Sequence, residues 1–322
     1  AGYRDLLSAQ IDQARRVKAR LPHTPVFVYL PVVDASPYYE TEAPLFRDPA
    51  LRGFLLRNGS GAANGHYKCF NPSNKSQPCH NPNCLTVNWN FFNHSAVDYF
   101  LSAVVRDVVQ RDGFDGVFFD GATSFLRAAR RHLSLPGSNI PPGSTIEQAK
   151  AVQVELLQRL VAMSNDFDKS PMFNIGLFDM EFFAPSRIGE GRVLANITRG
   201  GGLFRYYEGG MVAPKQAFIQ NVLRERIYGL PVLMHRTLCT PLLDAGCSAS
   251  SQLRDLESLI AVFLLVRGPW FYFAASTSDA PYVDRGFVWH ALYDVDYGVP
   301  LGEPQRTALP SVTRYSRNYT NC

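Results

Sequence analysis

Eight short apolar runs recur along the chain, most of them separated by enough residues to form a helix, and this alternation limits the possible folds more than any other feature. The first run, VFVYLPVVD (Val26 to Asp34), is continuous and rich in β-branched residues, as expected of a strand buried on both faces of a parallel sheet. The others are GFLLRN, LTVNWNF, DGVFFD, MFNIGLF, LFRYYEG, PVLMHR and PWFYFAAS, of which GFLLRN reads equally as a helix end. Apolar spacing predicts helices over Ala96 to Gln110, Thr145 to Asn165, Pro214 to Tyr228 and Ser251 to Val266. An amphipathic helix opens the chain, with Leu7, Ile11, Ala14, Val17 and Leu21 on one face and Pro22 and Pro25 ending it. Such alternation implies right-handed βαβ units. With eight strands and no Gly-rich phosphate loop after the first, the expected fold is an α/β closed (β/α)₈ barrel rather than an open doubly wound sheet.

The expected organisation is a barrel over residues 1–276, interrupted by a loop at 58–84, then a last helix near Gly286 to Tyr293 and an extended tail, together 277–322, packed on the barrel. The loop is rich in Asn, Pro and Cys and long enough to need stapling. Of the six cysteines, Cys239 and Cys247 flank a short TPLLDAG segment suited to a disulfide, while Cys69, Cys79, Cys84 and Cys322 have no assigned pairing. Asn-x-Ser/Thr sequons stand at Asn58, Asn74, Asn93, Asn196 and Asn318, more than sixteen asparagines would give by chance. Sequons and cysteines together point to a secreted, N-glycosylated protein with disulfides. The start at Ala1, without Met or an apolar leader, fits a mature form whose signal peptide has gone.

A net charge of +4 with scattered basic residues argues against a nucleic-acid surface, and no apolar run is long enough to span a bilayer. His66, Cys69, Cys79, His80 and Cys84 supply enough ligands for zinc, but disulfides account better for such cysteines beside five sequons, so no metal and no cofactor are expected. Gly-x-Ser-x-Gly, His-Glu-x-x-His and phosphate-loop motifs are absent from the sequence.

Barrel chemistry sits at the C-terminal ends of strands. Asp34, Asn90, Asp120, Asp179, Glu181, Glu208 and His235 end the apolar runs. In GFDGVFFDG, side-chain alternation places Asp115 and Asp120 on opposite faces, so they cannot share one task. Asp115 is expected to anchor the base of the strand and Asp120 to stand at its tip.

This stretch resembles the strand-four signature of secreted (β/α)₈ glycoside hydrolases, in which an apolar strand after Asp-Gly delivers a catalytic aspartate. NWNFFNHSAVDYFLSAV is similar to their Asn-Pro-x-Val-Arg-Asp-Tyr lead-in without its Pro and Arg, and DYGVPLGEP…VTRYSRNYTN to their closing segment. The resemblance implies hydrolysis of an O-glycosidic bond by paired carboxylates, with Asp120 as nucleophile or base. Glu208, between aromatics and a glycine pair in RYYEGG, is the choice for the second, protonated carboxylic acid; Asp179 and Glu181 are its reserves. Asp34, Tyr29, Trp89, Asn90, Asn174, Tyr206, His235 and Tyr272 are candidates to bind the sugar, with Tyr207 beside them. Purely structural roles compete: a helix cap at Asp120, an ion pair between Glu208 and Arg205, a core position for His235. The competing class is a catalytically silent barrel serving as an extracellular carbohydrate-binding or structural glycoprotein, assembled into homo-oligomers or polymers.

Overall fold

The computed structural model describes residues 5–58, 65–67, 70–71, 74–78, 85–122, 124–174, 204–209, 219, 223, 232–238, 247–268, 271–276, 290–308 and 313–321. The chain divides into two compact units, Ala1–Leu203 and Phe204–Cys322. The division expected after residue 276 falls inside the second unit.

In the first unit, helix α1 (Leu6–Arg20) starts at Asp5, whose carboxylate accepts from the backbone N–H groups of Leu7 and Ser8 and from the Ser8 hydroxyl. It also accepts from Glu40 N–H at 3.1 Å, so the helix cap ties α1 to a loop far along the chain. Leu7, Ile11 and Ala14 are buried as the amphipathic pattern predicts, whereas Leu21, past the helix end, is exposed. Strand β1 (Phe27–Pro31) follows, then β2 (Asp34–Ala35), helix α2 (Pro44–Arg47) and a 3₁₀ turn over Pro49–Phe54. The long loop carries β3 (Gly65–Tyr67) and the antiparallel pair β4 (Phe70–Asn71) and β5 (Asn74–Pro78). Strand β6 (Leu85–Asn88) pairs antiparallel with both β2 and β3.

Helix α3 (His94–Tyr99) continues through a π-helical turn, Phe100–Val105, into α4 (Arg106–Val109), as the pattern from Ala96 to Gln110 predicts. Strand β7 (Gly116–Asp120), α5 (Phe125–Leu133), α6 (Ile146–Asp166) and β8 (Ser170–Asn174) complete the unit. A reciprocal capping box starts α6: the Thr145 hydroxyl accepts from Gln148 N–H, and the Gln148 amide accepts from Thr145 N–H. Strands β1, β7 and β8 lie side by side and parallel, with β7 in the middle.

Among the described residues the closed eight-stranded barrel is not seen. On one side β1 pairs with β7; on the other, Tyr29 N–H donates to the Gln10 side chain at 2.7 Å and Tyr29 C=O accepts from the Tyr39 hydroxyl at 3.3 Å. Side chains thus satisfy the backbone of β1 at Tyr29 on its outer edge. Two of the predicted strands go elsewhere. In GFLLRN, the 3₁₀ turn runs to Phe54 and Leu55 then makes a single antiparallel bridge to Trp89. LTVNWNF supplies β6, which pairs with the chain just after β1. The strand bearing Asp120, expected fourth, is therefore the direct neighbour of β1.

The β1–β7 register is held at both ends. At the base, Asp115 accepts from Val26 N–H at 2.7 Å and from Lys18 Nζ at 2.9 and 3.1 Å. Desolvation pushes its pKa up, but the hydrogen bonds from Lys18 and Val26 and the charges of Lys18 and Lys169 outweigh it and hold the carboxyl below its usual range. At the top, Val32 N–H donates to the Asp120 carbonyl at 2.9 Å. Gly116 permits the close approach of β8 on one side and of β1 on the other: a Cβ there would collide with the Ser170 carbonyl and stand 2.5 Å from the Phe27 ring.

In the second unit, β9 (Phe204–Gly209), β10 (Val232–Thr237) and β11 (Phe271–Ser276) run parallel with β10 in the middle, and helix α7 (Ala249–Val266) precedes β11. Leu238, Leu256 and Ile260 form a small core with Leu259, Leu264, Phe273 and Tyr293 packed on it. Where a last helix was expected near Gly286 to Tyr293, the described part is a 3₁₀ turn over Ala291–Tyr293. The tail is not merely extended: β12 (Gln305–Ala308) and β13 (Thr313–Ser316) form an antiparallel hairpin, and the Arg317 guanidinium donates to the Arg267 carbonyl at 2.6 Å. Cys247 is disulfide-bonded; Cys69, Cys79, Cys84, Cys239 and Cys322 lie outside the described residues.

Two outcomes follow for the β1–β7 ladder. Gly116→Ala overpacks a backbone contact and is expected to cost about 1–3 kcal/mol or more in denaturant unfolding. Because the folded Asp115 pKa is lowered, its contribution is fully present above the unfolded value of about 3.9 and is lost as pH falls through the folded value. Asp115→Asn should therefore lose less stability than wild type between about pH 5 and pH 2; equal losses would show that the Lys18–Asp115 contact adds nothing.

Candidate active site

Strand alternation and the β1–β7 register put Tyr29 beside Phe118, and Asp120 one step further along the same face. The opposite face holds Val28, Leu30, Val117 and Phe119, all at most 2% exposed. Tyr29, Phe118 and Asp120 are each only half-buried, so this face remains partly open. The Asp120 carboxylate is held at both oxygens: the Tyr29 hydroxyl donates to Oδ2 at 2.7 Å and Gly121 N–H donates to Oδ1 at 2.9 Å. Gly121 adopts φ +62°, which turns the chain away immediately after the acid and favours glycine. Burial, then the Asp120 charge and its hydrogen bond, push the Tyr29 phenol well above its ordinary pKa, so it stays protonated and donates. Its ring tilts against Phe118 at 5.9 Å and 52°. The corner thus combines a carboxylate, a phenol donor and two aromatic rings, the groups that sugar hydroxyls and sugar C–H faces need.

Asp34 lies at the end of the chain segment after β1, is 8% exposed, and accepts from the Asn88 amide at 2.6 Å across the β2–β6 pair. Its charge also acts on the Tyr29 phenol. Trp89 is a correction to the sugar-platform expectation: it is 0% exposed, stacked on Phe91 at 5.8 Å and edge-on to Phe100. The reason is that β6 ends against α3 and the π-helical turn, where an aromatic core of Trp89, Phe91, Tyr99, Phe100 and Phe125 forms. Asn90 is likewise internal, at 2% exposed. Its amide reaches the Gly53 and Asn139 carbonyls at 3.3 Å and so joins two loops, while its buried Oδ1 has no hydrogen-bond partner among the described residues.

In the second unit, the parallel register sets Tyr206 beside Leu233 and Leu233 beside Tyr272, and sets Glu208 beside His235 and His235 beside Ala274. Positions 206, 208, 235 and 272 therefore share one face of that sheet. Tyr272 is 46% exposed there. The side chains of Asn174, Tyr206, Tyr207, Glu208 and His235 lie outside the described residues, as do Asp179 and Glu181 entirely. Among the sequons, Asn93 caps α3 by accepting from Ser95 N–H, Asn58 is half-buried and Asn318 is exposed. Asn196, the side chains of Asn74 and His66, and Cys69, Cys79, His80 and Cys84 fall outside the described residues.

Sequence reasoning missed Gln10, Tyr39, Asn88 and Phe118. Gln10 carried a signal: it is the one strongly polar residue among Leu7, Ile11 and Ala14 on the apolar stripe of α1, and such a residue needs a partner. Phe118 carried another, since it shares the Asp120 face two residues back. Tyr39 and Asn88 had none, because their partners come from distant segments.

No protein-family model matches the chain, and no curated protein matches it in sequence. Among solved structures, it is similar to Aspergillus fumigatus Ega3 in complex with galactosamine, with 12% identity, 81% of this chain and 78% of that one covered, and a TM-score of 0.44. The PgaB (BpsB) glycoside hydrolase domain from Bordetella bronchiseptica gives 12% identity, coverage of 82% and 73%, and a TM-score of 0.45. A Paenibacillus cycloisomaltooligosaccharide glucanotransferase with bound cycloisomaltoheptaose gives 12% identity, 71% and 29% coverage, and a TM-score of 0.42. Structural neighbours thus include a glycoside hydrolase domain.

The internal position of Trp89 is directly measurable. Trp89→Ala is expected to cost about 3–5 kcal/mol in denaturant unfolding, the range for removing a large buried aromatic. A loss below about 1 kcal/mol would mean that the ring is not core.

Proposed function

We propose that the protein is a secreted glycoside hydrolase that cleaves an O-glycosidic bond with Asp120 as nucleophile or general base. The observation that carries this reading is the Asp120 carboxylate, gripped by the Tyr29 hydroxyl and Gly121 N–H at a strand tip on a half-open aromatic face. Two donors fix the orientation of the carboxylate, and a nucleophile or base must be held in one orientation toward the reacting atom. The motif around it resembles that of barrel glycosidases, which supports the same assignment. Glu208, from its place at the end of β9, is assigned the role of the protonated acid, with Asp179 and Glu181 in reserve. Asp34, Asn174, Tyr206, His235 and Tyr272 are assigned to the sugar.

Secretion, N-glycosylation at the five sequons and a Cys239–Cys247 disulfide belong to the same proposal. Glycosylation at Asn93 is compatible with its helix cap, because Oδ1 makes the cap and a glycosylated Nδ2 keeps one proton for the Gly53 carbonyl. The described helices include none long and apolar enough to cross a membrane.

Chromogenic glycosides and polysaccharides, screened with wild type and Asp120→Asn, test the reading. Wild type should hydrolyse at least one, and the variant should lose roughly 10²- to 10⁴-fold in kcat. Equal rates would remove Asp120 from the reaction. Oligosaccharide binding without hydrolysis would favour the silent, carbohydrate-binding alternative.

A further inference from the structure

Tyr29 was a candidate for sugar contact, yet its surroundings fit a different task. Its backbone is bracketed on the outer edge of β1, with N–H donating to Gln10 Oε1 at 2.7 Å and C=O accepting from the Tyr39 hydroxyl at 3.3 Å. The same Gln10 donates from Nε2 to the Tyr39 hydroxyl at 3.3 Å, which closes a ring of three residues. Tyr39 is 2% exposed and Gln10 sits on the helix stripe that packs the core, so neither bracket is free to drift. The Tyr29 ring is braced by Phe118, and the hydroxyl at its far end meets one Asp120 oxygen at 2.7 Å. Fixation at the backbone, the ring and the hydroxyl is how a protein holds a carboxylate in one orientation before a reaction starts.

We propose that Tyr29 is a positioning residue for Asp120, fixed in turn by Gln10 of α1 and by Tyr39, so that the amino-terminal helix is a working part of the site. The inference rests on the glycosidase reading for its kinetic consequence but not for its structural one. In kinetics, Tyr29→Phe should lower kcat roughly 10- to 100-fold, the effect of losing one hydrogen bond to a charged group, with KM changed less than about twofold. Gln10→Ala should produce a smaller fall of the same kind. An unchanged kcat, or a loss confined to KM, would overturn the proposal and return Tyr29 to sugar binding.

The structural arm needs no substrate. A hydroxyl proton of Tyr29, observed by ¹H NMR through its correlation with the labelled ring, should be slow to exchange in wild type and broaden into solvent exchange in Asp120→Ala. If the signal is the same in both proteins, or is absent from wild type, the positioning contact does not exist. This comparison also decides the case if Tyr29→Phe fails to fold. If wild type hydrolyses no glycoside while the hydroxyl signal behaves as expected, the glycosidase reading falls and the Tyr29–Asp120 coupling stands.

Discussion

Strand β1 has two edges, and the way each is satisfied shapes the first unit. A buried backbone N–H or C=O left without a partner costs about as much as a lost hydrogen bond, so both edges must be filled. One edge takes β7, in a register held by Asp115 at the base and by the Asp120 carbonyl at the top. At Tyr29 the other takes two side chains, from Gln10 and Tyr39. Covering a strand edge with a helix and loop protects it from unwanted pairing. The next apolar runs pair instead with the segment beyond β1, through β2 and the Leu55–Trp89 bridge.

The same arrangement produces the candidate site. Because β7 lies directly beside β1, Tyr29 comes within hydrogen-bonding distance of Asp120, and the aromatic pair Tyr29–Phe118 lies below the acid. The two aspartates of GFDGVFFDG then differ for a simple reason. Asp115 meets a lysine and a backbone N–H at the base of the strand, whereas Asp120 meets a phenol and a glycine N–H at its tip. The glycines serve the same division: Gly116 allows the strands and the Phe27 ring to close, and Gly121 allows the chain to turn.

Much of this was legible in the residues. The helical spacing located α1, α6 and α7 to within a few residues, and strand alternation separated Asp115 from Asp120. What apolar runs do not specify is the neighbour. GFLLRN and LTVNWNF are apolar because they are buried, but their burial is against a 3₁₀ turn, β2 and an aromatic core rather than in a parallel sheet. Trp89 misled for the same reason, since composition cannot distinguish a ring at a strand tip from a ring beneath the following helix. Gln10 shows the reverse case, in which one polar residue on an apolar stripe marked a contact to the outer edge of β1.

If the account is right, sugar is recognised on the β1–β7 face beside Asp120. The direct measurement is a backbone amide NMR titration of the protein with a panel of hexose and hexosamine oligosaccharides. The account predicts that at least one oligosaccharide shifts the amides of Tyr29, Phe118 and Gly121, the last being the donor to Asp120 Oδ1. Shifts confined to residues elsewhere, or none with any member of the panel, would contradict it.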